Sequence, residues 1–219
     1  MRKVFQFLRL RFDPEPDVCP TAAFEPEDLV WPRVVRRAFS DPRVPHESTG
    51  IEGRGTEEVK TNDITNRVNV GDVGFTIEFG RPGVGVWMRE IQVMCSRLAQ
   101  AGVSFEKKNP LTSLMSDQAS GQLRADILGE KVMSAIVEIK VPVERTEEIM
   151  RLVWDVEKEL DTVVALGVGT RCDAQGEDNV VAPILERLGY KLERAKTNTG
   201  LGRITNLPQE LPQTEVAAR

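Results

Sequence analysis

The sequence predicts an α/β (α+β) sandwich, in which a mixed, mostly antiparallel sheet carries helices on its faces. Three observations lead there. Residues Asp72–Phe79 alternate strictly, with Val73, Phe75, Ile77 and Phe79 on one face and Asp72, Gly74, Thr76 and Glu78 on the other. That is the period of a half-buried strand. Lys131–Val143 alternates in the same way, with Met133, Ala135, Val137, Ile139 and Val141 aligned. Two segments instead show helical spacing: Trp87, Ile91, Met94, Cys95 and Leu98, then Ile149, Leu152, Val153, Val156 and Leu160.

At 219 residues the chain suffices for one core domain plus an extension. The expected division is an N-terminal strand and proline-rich arm at 1–45, a loop or linker at 46–71, an α/β core at 72–205 and a flexible tail at 206–219. Arg9 and Arg11 interrupt the apolar opening, so Met1–Phe12 reads as a strand and not as a signal peptide. No stretch approaches the roughly 20 apolar residues that cross a bilayer, and a cytoplasmic protein without membrane contact is expected. The net charge of −5 disfavours nucleic acid. Arg33, Arg36, Arg37 and Arg43 form the best basic run, read as a solvated face of a short helix beginning near Pro32. Cys19, Cys95 and Cys172 are odd in number and widely spaced, and His46 is the single histidine. Neither a disulfide framework nor a metal site follows.

Within the core, Gly80–Gly85 breaks the first strand and Gly102 ends the first helix. Val103–Phe105 reads as a short strand and Lys107–Ser120 as a loop. Leu123, Ala125 and Ile127 then alternate, and Gly129 with Glu130 suits a hairpin turn leading into Lys131–Val143, which Pro142 closes. Val163–Val168 is a short apolar strand. Asp178 or Asn179 caps a helix bearing Val181, Ile184, Leu185 and Leu188, which Gly189 stops, and residues 190–196 supply a final strand.

The order hairpin, helix, strand, helix, closing on Asn179, Ala182, Leu185, Glu186, Arg187, Leu188, Gly189 and Tyr190, resembles the second half of the GNAT acyl-CoA N-acyltransferases over residues 121–196. The resemblance implies a coenzyme pyrophosphate held by a glycine-containing loop at the entrance of the long helix. Here that entrance reads Val143, Glu144, Arg145, Thr146, Glu147, Glu148, with no glycine and three carboxylates. Like charges there oppose a phosphate. The family's tyrosine acid would fall near Leu185. No catalytic residue and no cofactor is therefore expected, and the leading expectation is a non-catalytic binding or protein-interaction protein on a degenerate acyltransferase-like fold.

A second resemblance starts earlier. Gly80-Arg81-Pro82-Gly83, with Ala101-Gly102-Val103 after the helix, is similar to the ACT-domain pattern, which implies a ferredoxin-like regulator binding amino acids at that loop. Gly80 stands where that family has an acidic residue.

Two glycine loops compete as anion cradles. Gly167 and Gly169 match part of G-x-G-x-x-G, but Cys172 takes the third place and Asp173, Glu177 and Asp178 make the segment acidic. Gly80, Arg81, Gly83 and Gly85 precede a helix with no carboxylate until Glu90, which makes them the candidate ligand-binding residues. That loop also serves the two alternative functions: an active N-acyltransferase using acetyl-CoA, or an ACT-like amino-acid-binding regulator. Glu138 reads as a solvated carboxylate on an outer strand face. The partner is expected to be a protein or a small molecule, with homo-oligomerisation left open.

Overall fold

The computed structural model describes residues 29–40, 67–80 and 84–190. The expected N-terminal strand, most of the 46–71 linker, the final strand beyond Tyr190 and the tail lie outside the described residues, as do Cys19 and His46.

Strand β1 (Asp72–Phe79) occupies the bounds that its alternation sets. Its apolar residues Val73, Phe75, Ile77 and Phe79 are fully buried, each worth about 1.5–3 kcal/mol relative to exposure. The chain continues through β2 (Val86–Trp87), α2 (Met88–Gln100), β3 (Ser104–Phe105), β7 (Ala135–Pro142), α4 (Thr146–Glu157), β8 (Val164–Gly169) and α5 (Val181–Arg187). The short helix α1 (Val34–Ser40) precedes them, and α3 (Pro110–Ser113), β4 (Met115–Asp117), β5 (Gln122–Leu123) and β6 (Lys131–Val132) fall between β3 and β7.

The main sheet runs β3-β7-β1-β8, and every pair in it is antiparallel. With α2 and α4 between the strands, this is the β-α-β-β-α-β series of a ferredoxin-like, split βαβ arrangement. Register follows side-chain character: Val73 faces Val141, Phe75 faces Ile139 and Val168, and Ile77 faces Val137 and Leu166. A slip of one residue would turn this apolar set to the opposite face.

Helices α2 and α4 pack together over the apolar face. Ile91, Met94, Cys95 and Leu98 are buried from α2, and Ile149, Met150, Val153 and Val156 from α4. Trp87 does not begin the buried helical stripe; it closes β2, and Met88 takes the buried place. Glu90 caps this start, its Oε2 accepting from the Trp87 amide at 3.0 Å and its Oε1 from the Asp161 amide at 2.8 Å. Arg145 donates to the Ala101 carbonyl at 2.5 Å and so joins the entrance of α4 to the end of α2.

Residues 106–134 depart from the expected loop and hairpin. Asn109 caps α3, its side chain accepting from the Leu111 amide at 2.9 Å with Pro110 in the first turn. Gln122 and Leu123 pair with β4 and not with the strand after Gly129, because Gln92 holds this ribbon on α2: its amide donates to the Gly121 carbonyl at 2.9 Å and accepts from the Leu123 amide at 2.6 Å. Ala125–Ile127 is a 3-10 turn with Ala125 exposed, so the Leu123/Ile127 spacing buries two side chains without a strand. Lys131 and Val132 pair with β2, and the long alternating segment is interrupted at Met133 and Ser134 before β7.

The described part of the arm, residues 29–40, packs on the same core. Val35 and Phe39 of α1 are buried in the core, and Arg36 pairs with Glu130 instead of facing solvent alone. The Trp31 indole donates to Asp126 at 2.6 Å, and Arg124 lies 4.4 Å over the Trp31 ring.

Gly121 gives a sharp test. It has φ +67°, and a Cβ there would come 2.2 Å from the Cys95 carbonyl oxygen on α2. Gly121→Ala is expected to lower unfolding free energy in urea by about 2 kcal/mol or more. Gly129→Ala, with open space at that position, should change it by no more than ~0.5 kcal/mol. Equal effects would contradict the docking of the β4–β5 ribbon on α2.

Candidate functional site

The Gly80–Gly85 loop links β1 to β2. Gly80 has φ +86°, and a Cβ on it would meet the Met133 carbonyl at 2.5 Å; Gly85 has φ +70° and would meet the Lys131 Cε at 2.9 Å. Both positions therefore serve a close backbone approach that excludes a side chain. Their amides are engaged inside the chain, Gly80 donating to the Val163 carbonyl at 3.0 Å and Gly85 to the Gly80 carbonyl at 3.1 Å. Arg81 and Gly83 lie outside the described residues. The buried Lys131 side chain, against Gly85, is a basic group that the linear reading did not place there.

At the entrance of α4 two of the three carboxylates, Glu147 and Glu148, face guanidinium groups, and Glu144 is exposed. Arg145 holds Glu148 through two contacts at 2.9 and 2.6 Å. Glu147 accepts from Arg151 at 2.7 Å and from Arg187 of α5 at 2.5 Å. Hydrogen bonding to Arg151 first, and then to Arg187, holds the Glu147 carboxyl below its ordinary range, and Arg145 does the same for Glu148. Both stay ionised at neutral pH. Leu185, where the acyltransferase resemblance implies a tyrosine acid, is buried in the core.

Gly167 and Gly169 lie within β8 and not in a loop. A Cβ on Gly167 would meet the Thr76 Oγ1 at 2.4 Å, so this glycine makes room for a neighbouring strand. The acidic segment beyond it closes on itself. Asp173 accepts from the amides of Gln175 and Glu177 at 3.0 and 2.9 Å, and Asp178 accepts from those of Val181 and Ala182 at the start of α5.

Glu138 departs from its expected solvated position, being only 2% exposed. The segment after β3 covers that part of the sheet: the buried Asn109 donates to the Glu138 carboxylate at 2.9 Å and to the Ile136 carbonyl at 3.0 Å. Thr76, beside Glu138 in register, is also buried. Burial pushes the Cys95 thiol up to about 12, leaving it protonated and inert. Cys172 is exposed. Among the described residues no three His, Cys, Asp or Glu side chains gather as a metal site, and no helix is long and apolar enough to cross a membrane.

A surface feature that the sequence reading passed over lies between α4 and α5. An open groove of about 310 Å³ is lined by Met150, Arg151, Trp154, Asp155, Lys158, Leu188 and Tyr190. Trp154 is 55% exposed. Its ring meets Tyr190 edge to face, with centroids 6.0 Å apart and planes at 85°, and the Lys158 ammonium lies 5.5 Å from its centroid. Burial raises the Tyr190 hydroxyl's pKa, opposed by Arg151. One signal was available: Trp154 falls off the stripe of Ile149, Val153 and Val156, on the outer side of the helix.

Comparisons with protein-family models, with curated proteins and with solved structures find no match to this chain.

Asn109 joins a helix cap to a buried carboxylate. Asn109→Ala should cost about 2–4 kcal/mol, the sum of a lost cap and a buried acceptor deprived of its donor. Urea denaturation checks this, and a loss below ~0.5 kcal/mol would contradict the assigned contacts.

Proposed function

We propose that this chain is a non-catalytic binding or protein-interaction module, and that the groove between α4 and α5 is its contact surface. The observation that carries the proposal is the exposed Trp154, held in a defined orientation by Tyr190 and Lys158. Tryptophan and tyrosine in such settings dominate binding energy at protein interfaces. The groups that chemistry would need serve the fold instead: Glu138 accepts from Asn109, Cys95 is sealed in the core, and Glu147 and Glu148 bridge arginines.

The antiparallel order β3-β7-β1-β8 favours a ferredoxin-like frame over the splayed parallel pair of an acyltransferase. The ion-paired entrance of α4 is an unfavourable seat for a pyrophosphate, so an active N-acyltransferase with acetyl-CoA is the less supported alternative. A second reading, an ACT-like regulator taking an amino acid or another small anion at Gly80–Gly85, draws support from Lys131 beside Gly85. The odd number and wide spacing of the cysteines suit a reducing compartment, and we assign the cytoplasm.

A thermal-unfolding titration with acetyl-CoA, run beside an acyl-transfer assay on amines, tests the reading. No stabilisation and no amide product are expected. A ligand at 100 times its dissociation constant would add about 2.7 kcal/mol, so a clear upward shift, or turnover, defeats the non-catalytic assignment.

A further inference from the structure

The main sheet ends in two unlike edges. At one end β3 is two residues long, and so short an edge offers little to another strand. At the other, β8 runs six residues from Val164 to Gly169 and pairs on one side only, with β1. The phase of that pairing fixes which backbone groups it uses. The Gly80 amide donates to the Val163 carbonyl at 3.0 Å, and the Thr76 hydroxyl donates to the Gly167 carbonyl at 3.4 Å. Val163, Ala165, Gly167 and Gly169 therefore turn their N–H and C=O groups to β1, and alternation turns those of Val164, Leu166 and Val168 outward. Among the described residues no hydrogen bond reaches these outward groups.

This edge carries none of the devices that keep edges apart. From Val163 to Gly169 there is no charge, no proline and no bulge. Val163 and Ala165 are exposed. The strand is also self-complementary about Leu166. Antiparallel pairing centred there sets Leu166 against Leu166 of a second copy and Val164 against Val168, each pair exchanging both backbone bonds. Ala165 and Gly167 lie between these pairs, and neither side chain obstructs a close approach. Charge agrees at the two ends. The same register brings the exposed Asp161 toward Arg171 of the other copy, whose Nε donates to its own Val68 carbonyl at 2.9 Å. Farther out it brings Glu159 toward Asp173. Glu159 is paired with Arg97 at 2.9 Å and Asp173 accepts from the amides of Gln175 and Glu177, so each of these like-signed carboxylates already has a donor.

We propose that two copies of this chain join antiparallel along β8, extending the four-stranded sheet of each into one continuous sheet with a two-fold axis at Leu166. No residue of β8 lines the groove between α4 and α5, so this association is separate from the contact surface proposed there.

The test joins analytical sedimentation to amide hydrogen exchange on the full-length chain. A species of twice 24.4 kDa is expected. Raising the concentration from about 10 μM to about 1 mM should slow exchange at Val164, Leu166 and Val168 by at least about fivefold, whereas Ala165 and Gly167, bonded to β1, should respond less. Val168→Pro removes an outward donor that β1 does not use. It should weaken association by at least about tenfold, a hydrogen bond being lost from each copy, with its fold checked by circular dichroism. Ala165→Lys leaves every backbone bond in place, puts a charge on the same edge and should weaken association as well. A monomer at about 1 mM overturns the proposal, as does a dimer in which the three amides exchange freely, or one that the folded variants leave unchanged. Protection of these amides in a monomer also overturns it, because a segment of the same chain would then cover the edge.

Discussion

The structure depends on the burial of one face of β1 in the core it shares with α2 and α4, with antiparallel neighbours along both its edges. Val73, Phe75, Ile77 and Phe79 are fully buried. Once β7 and β8 flank it, both strand connections must carry their helices across the same face, which brings α2 against α4. Arg145 and the Arg97–Glu159 pair then join these helices at the surface. Such exposed pairs set alignment more than stability. The opposite sheet face is polar in sequence yet closed around Glu138, because Asn109 supplies both a helix cap and a donor to the carboxylate.

Electrostatics orders the entrance of α4. Of the three carboxylates at the start of α4, Glu144 is exposed, whereas Glu147 and Glu148 are ion-paired. These two are joined to Arg145, Arg151 and Arg187, which ties α4 to α5 and shapes the groove above them. Gly80, Gly85 and Gly167 each stand where another chain segment occupies the space of a side chain. Trp154 faces outward beside Tyr190.

Regular periodicity was legible wherever one face of an element meets the core. The bounds of β1, the stripes of α2 and α4, the cap at Asp178 and the stop at Gly189 were all readable from spacing and residue type. Residues 106–134 were not, because their order comes from contacts distant in sequence. Gln92 holds Gly121 and Leu123 on α2, and the Met133 carbonyl approaches Gly80; neither leaves a periodic trace. The Asn109-Pro110 cap was a local signal within a segment otherwise polar enough to pass for a loop. Glu138 illustrates the same limit, since alternation gives its face and only the tertiary cover makes it buried. The groove was half legible: the outward position of Trp154 follows from the helical wheel, whereas its meeting with Tyr190 depends on how α5 docks.

The most direct test of this account is the pairing of β1. Nuclear Overhauser contacts measured on the full chain should link Phe75 to both Ile139 and Val168, the partners that the antiparallel register places beside it. Contacts between β7 and β8 as adjacent parallel strands, with Phe75 lacking one of these two neighbours, would contradict the strand order from which the helix packing and the groove follow.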